Sequence, residues 1–100
     1  MSDGVDGKEG AGMELFVDDD RGYFDWLSEH PEGFVINTTR KPSPSNLMLH
    51  LASCDHIADR SVANYTKQYA KACSDSRYEL LRWAREEVGG TASNCYSCAP

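Results

Sequence analysis

The chain has 100 residues, 40% of them hydrophobic and 10% aromatic, with a formal net charge of −6. That length suits one domain with a modest core, and a core of this size profits from an additional staple. No apolar run approaches the roughly 18 residues that a membrane span needs, so no membrane partner is expected.

The charge is unevenly placed. Residues 1–20 hold seven acids and one base, Lys8, whereas residues 21–100 hold nine acids and nine bases. The leader, residues 1–12, is rich in Gly and Asp and has a single aliphatic side chain, Val5, beyond Met1 and Ala11, so it reads as a disordered acidic leader. Residues 13–100 read as a single α+β domain. The N-terminus lacks a basic segment followed by an apolar one, so no secretory signal is read and a cytoplasmic location is expected. In that reducing setting four cysteines serve as thiols or metal ligands rather than disulfides.

Asp18, Asp19 and Asp20 precede Tyr23, Phe24, Trp26 and Leu27. Acids at that position accept from free backbone amides and oppose the dipole, which predicts a helix. Tyr23, Trp26, Leu27 and His30 share one face, and Pro31 and Gly33 end it. Phe34–Thr39 is short and β-branched, a strand. Arg40–Asn46 carries two prolines and is a loop. Residues 47–53 alternate, with Leu47, Leu49 and Leu51 on one side and Met48, His50 and Ala52 on the other, which predicts a second strand.

Residues 55–66 are polar and poorly patterned. Tyr65–Cys73 fits two periods: Tyr69, Lys71 and Cys73 alternate with Ala70 and Ala72 as in a strand, and Val62, Tyr65, Tyr69 and Cys73 recur as in a helix. The strand is favoured. Ser76 and Glu79 form a capping box before Leu80, Leu81, Trp83, Ala84 and Val88, and Gly89-Gly90 closes that helix. The expected architecture is a small antiparallel sheet of about three strands covered by two helices, followed by a cysteine-bearing tail.

Cys95-Tyr-Ser-Cys98 is the sharpest local signal. Two cysteines separated by two residues converge on one ion and supply half of a tetrahedral site. Two further ligands come from Cys54, Cys73, His56, His50 or His30. Cys54 and Cys73 stand at expected element ends, so the predicted zinc set is Cys54, Cys73, Cys95 and Cys98, with His56 as substitute for one cysteine. Free structural thiols and a redox pair are the alternatives. A redox role is disfavoured because this CxxC lies in a terminal coil, where no helix dipole would lower a thiol pKa.

His30, His50 and His56 lie among acids such as Asp25 and Asp55, but no nucleophile motif accompanies them, and no catalytic residue is assigned. Lys67, Lys71, Arg77, Arg82 and Arg85, with Tyr65, Tyr69 and Trp83 interleaved, could form a basic aromatic face for nucleic acid. The neutral body and the nearby Glu79 and Glu86 favour instead a solvated helix face.

Residues 22–57, with Tyr69–Cys73, Trp83-Ala84-Arg85 and the terminal CxxC, resemble a small uncharacterised bacterial module found alone or attached to restriction and nuclease-type proteins. The resemblance implies no catalytic chemistry. It does imply that Cys54, Cys73, Cys95 and Cys98 belong to one site. The expected function is a non-enzymatic, zinc-stabilised interaction module with a protein partner, accessory to nucleic-acid processing or defence. A small nucleic-acid-binding protein is the alternative.

Overall fold

Asp19 caps the first helix of the computed structural model, which describes residues 12–58 and 65–100. The acidic leader therefore lies, Gly12 apart, outside the described residues. In chain order the elements are β1 (Met13–Phe16), α1 (Asp20–Glu29), β2 (Phe34–Thr39), β3 (Met48–Leu51), α2 (Asp55–Ala58), β4 (Tyr69–Ser74), α3 (Arg77–Trp83) and β5 (Ser93–Asn94). A π-helical turn, Ala84–Val88, extends α3. The fold is α+β, and its sheet has five strands in the order β1-β4-β2-β3-β5, antiparallel except for the parallel pair β3–β5. The sheet therefore exceeds the expected three strands. The two additions are its edges, four and two residues long, and they are set by backbone pairing more than by side-chain pattern.

The expected helix and strands form close to where the sequence places them. Asp19 accepts from the Gly22 amide at 2.8 Å. Its neighbours do more than start the helix. Asp20 accepts from the Tyr65 and Thr66 amides at 3.0 and 2.8 Å and from the Thr66 hydroxyl at 2.6 Å. Asp18 pairs with Arg40. These acids tie the start of α1 to the chain entering β4. At the far end of α1, His30 stacks on Trp26 at a centroid distance of 4.3 Å and meets Asp75 at 2.7 Å, just beyond β4.

Side chains alternate across the strands and separate two cores. On one face Val35 and Cys73 pack with Phe16 and with Tyr23, Trp26 and Leu27 of α1, and with Ile57 of α2. On the other, Ile36, Leu49 and Ala72 pack with Leu80 of α3 and Ala84 of the π turn. Strand β4 is paired on both sides and covered on both faces, which is why its sequence carried a mixed signal. Its alanines, Ala70 and Ala72, face α3, while Lys71 and Cys73 face α1. Half of the expected capping box forms. Ser76 accepts from the Glu79 amide at 3.2 Å, but the Ser76 amide is taken by the Ser74 hydroxyl at 2.9 Å. Residues 55–58, read from sequence as unpatterned, form α2, and Ile57 enters the core.

Lys71 is the unusual member of this core. It is 2% exposed and lies opposite Asn37. Its ammonium donates to Asn37 Oδ1 at 2.5 Å and to the Tyr65 carbonyl at 2.8 Å. It also stands 5.6–5.9 Å from the ring centroids of Tyr23, Tyr65 and Tyr69. Neutral oxygens and π faces replace water around the charge but supply no counterion, so burial lowers its pKa to about 8.

Two predictions follow from this packing. Leu80 is fully buried, so Leu80→Ala should cost about 2–5 kcal/mol in denaturant unfolding. Tyr78, on the exposed side of the same helix, should change stability by less than about 0.5 kcal/mol when replaced by Ala. The second concerns pH. The folded chain loses the Lys71 proton near pH 8 and the unfolded chain near 10.5. Between those values the unfolded state binds more protons, so the Lys71 contribution to stability rises with pH. Wild type should therefore gain on Lys71→Met, by up to about 3 kcal/mol, as pH rises from 8 towards 10.5. Parallel unfolding curves for the two proteins across that range check it.

Candidate metal centre

Strand β3 turns His50 towards the α1 face, opposite Val35. The chain then bends sharply: the Cys54 amide donates to the Leu51 carbonyl at 3.0 Å, and the Cys54 carbonyl accepts from the Ile57 amide at 3.1 Å as α2 begins. Cys54 thus sits at the junction of β3 and α2.

The tail reaches the same place by a different route. Gly89 ends the π turn with a left-handed φ of 91°, a conformation that costs glycine little. Gly90 then passes so close to Pro44 that a Cβ there would lie 2.6 Å from the Pro44 carbonyl oxygen. This double glycine lets the chain cross to the free edge of β3. The Ser93 amide donates to the Leu47 carbonyl and the Cys95 amide to the Leu49 carbonyl, both at 2.9 Å. The turn closes with the Ala99 amide on the Cys95 carbonyl at 2.9 Å.

Four side chains meet there. His50, Cys54, Cys95 and Cys98 each offer a ligand atom, and these atoms all lie within 4.8 Å of one another. A tetrahedral zinc with Zn–S bonds of about 2.3 Å would separate its sulfurs by about 3.8 Å. The group is thus sized for one ion and needs only slight contraction. His50 and two of the three cysteines are buried, and Cys98 is partly exposed.

The surroundings suit thiolates. The Leu51 amide donates to Cys98 Sγ at 3.2 Å. The backbone amides of Cys98 and Ser97 favour a thiolate at Cys95, as the His56 amide does at Cys54. Such donors stabilise negative sulfur. Burial pushes the Cys95 thiol up, but these amides, with the His56 and Cys98 side chains, draw it down to about 7. Cys54 goes the other way, to about 11, because burial and the neighbouring Cys98 and Cys95 sulfurs outweigh the His56 amide. Three sulfurs this close cannot all ionise without a cation between them.

His50 fits the same reading. Its Nδ1 is buried without a hydrogen-bond partner among the described residues. Burial first, then the charges of His56 and Lys71, lowers its pKa to about 4. The ring is held neutral, the form that ligates metals.

The structure brings together three of the four cysteines predicted from sequence and leaves out Cys73. That residue lies in the middle of the sheet between Glu14 and Val35, fully buried, with Sγ 3.8 Å from the Lys71 carbonyl. Burial holds its thiol well above the ordinary range. His50 completes the group instead. The alternation of residues 47–53 set it on the side opposite the leucines, with Met48 and Ala52, and gave no sign that this side would be covered too. His56, the expected substitute, stands beside the group rather than in it: Nδ1 is 3.7 Å from Cys95 Sγ and Nε2 is 3.5 Å from the Ser97 hydroxyl.

The five cations weighed for nucleic acid do not share a surface. Lys71 is buried on the α1 face, whereas Arg77, Arg82 and Arg85 are exposed along α3 and its extension on the opposite side of the sheet. Arg82 is engaged with Glu86 at 3.2 Å and Glu79 at 3.8 Å. Lys67 lines a shallow cleft with Asp18 and Asp20. No helix among the described residues is long and apolar enough to cross a membrane.

Comparisons with known protein families, with curated proteins and with solved structures returned no match.

Proposed function

We propose that the chain is a non-enzymatic interaction module clamped by one structural zinc ion on His50, Cys54, Cys95 and Cys98. The observation that carries this reading is the convergence within 4.8 Å of three sulfurs and a buried imidazole whose Nδ1 has no hydrogen-bond partner among the described residues. Thiolates and imidazole suit zinc, and four protein ligands complete its tetrahedron. A closed site leaves no position for substrate or water, so its role is to hold the fold.

What the ion holds is the turn Cys95–Cys98. Tyr96, at its tip, is 90% exposed. A large amphipathic ring on a rigid turn is a favourable contact residue, which supports a protein partner. The resemblance to modules carried by restriction and nuclease-type proteins suggests a partner engaged in nucleic-acid processing.

The purified protein should carry about one zinc per chain by elemental analysis. Its removal by a chelator should lower the melting temperature by on the order of 10 °C or more, since metal binding contributes directly to folding. Cys54→Ser and Cys98→Ser should lose the ion, and Cys73→Ser should keep it. A metal-free protein melting at the same temperature as the purified one would sink the reading. So would retention of zinc by His50→Ala together with its loss from Cys73→Ser.

A further inference from the structure

The proposed ligands are not equally sheltered. His50 and Cys54 are each 5% exposed and Cys95 is 1% exposed, while Cys98 is only partly buried. Cys98 also borders an open cleft of about 310 Å³. The cleft is walled by Cys54 and by the polar side chains of Ser53, Asp55, His56 and Ser97. Two features therefore coincide at one sulfur: a metal would keep it a thiolate, and a polar opening admits a small molecule to it. Cys95, three residues earlier on the same turn, has its sulfur within 4.8 Å of that of Cys98.

Resting on the zinc reading, we propose that Cys98 is a modification site for hydroperoxides, and that its oxidation joins it to Cys95 and expels the ion. The Cys98 thiolate attacks one peroxide oxygen. A sulfur–oxygen bond forms, the oxygen–oxygen bond breaks, and the departing alkoxide or hydroxide takes a proton from water. The Cys95 thiolate then attacks the Cys98 sulfur. The disulfide forms, the sulfur–oxygen bond breaks, and hydroxide leaves. Two thiolates have lost two electrons, and the peroxide has been reduced to water or an alcohol.

The product holds two ligands where there had been four, and the ion leaves. The tail then keeps little besides the amide bonds of Ser93 and Cys95 to β3, because β5 is two residues long. Its release uncovers the edge of β3, where Met48 is already 39% exposed. An uncovered edge offers unpaired amides and carbonyls to another strand. The centre is thus an oxidation-sensitive fastening for the tail.

The test uses the full chain as purified, its zinc measured first, then treated with hydrogen peroxide in the presence of a chromogenic zinc indicator. The expected result is one zinc released per disulfide, with the bond mapped by mass spectrometry to Cys95 and Cys98, and recovery on adding a thiol reductant and zinc. Cys98→His keeps a fourth ligand without the thiol, and should hold its zinc at a peroxide dose that empties the wild type. First oxidation at Cys54 or Cys73, or zinc retained while Cys98 oxidises, overturns this proposal and leaves the zinc reading intact. A purified protein with no zinc overturns both.

Discussion

A tail with almost no apolar side chains must be fastened to the edge of a sheet, and most of the distinctive features near the C-terminus serve that constraint. Residues 91–100 contribute one fully buried side chain, Cys95. Hydrophobic burial alone cannot fix such a segment. Backbone pairing with β3 covers two residues, and a short strand of that kind is weak on its own. Cys95 and Cys98 converge there with His50 and Cys54, and the proposed ion would supply the missing constraint. It would also link the last residues of the chain to the middle, closing a long loop at one point.

The same economy governs the sheet. Strand β4 lies inside the sheet, so its side chains from Ala70 to Ser74 are buried, and those facing α3 must be small. Ala70 and Ala72 meet that need. Facing α1, the chain instead places Lys71 and Cys73 below a cluster of aromatic rings, Phe16, Tyr23, Phe24 and Tyr65, whose neighbouring centroids lie 5.5–6.1 Å apart. A buried ammonium with no salt bridge among the described residues opposes folding, and its three tyrosine rings and two oxygens offset part of that opposition. The Asp18–Asp20 contacts then hold Tyr65 and Thr66 in place, so that the Tyr65 carbonyl can accept from Lys71. An acidic run that reads as a helix start is therefore also the outer anchor of the core cation.

Much of the fold was legible in the sequence because its signals are local. The cap at Asp19, the β-branched run 34–39, the alternation of 47–53 and the glycines after Val88 each correspond to an observed boundary or element. What was not legible depends on long-range pairing. Strand β1 is recognisable only by its partner β4, and β5 only by its partner β3. The glutamate of the expected capping box was displaced because Ser74, just outside the helix, reached the Ser76 amide first. The chain after Val88 shows a further limit: the glycines announce an end, but not that Gly90 must graze Pro44 to reach β3.

The candidate site follows the same division. The CxxC fixes two ligands by covalent proximity, and Cys54 follows from its place at a strand end. The fourth ligand depends on which side chain the sheet points at the tail. Cys73 enters the predicted set by its place at an expected element end, where a folded-back tail could reach it. Topology decides otherwise: β4 lies two strands away from β3, with β2 between them, and Cys73 faces Val35 rather than the edge. His50 lies on β3 itself, beside the strand that delivers Cys95. A histidine in a strand, neutral and buried with one nitrogen unpartnered, would be a defect in an ordinary core. Placed within 4.8 Å of three sulfurs that cannot ionise together without a cation, it is the remaining ligand of the proposed site, where one ion would resolve both the defect and the excess of thiols.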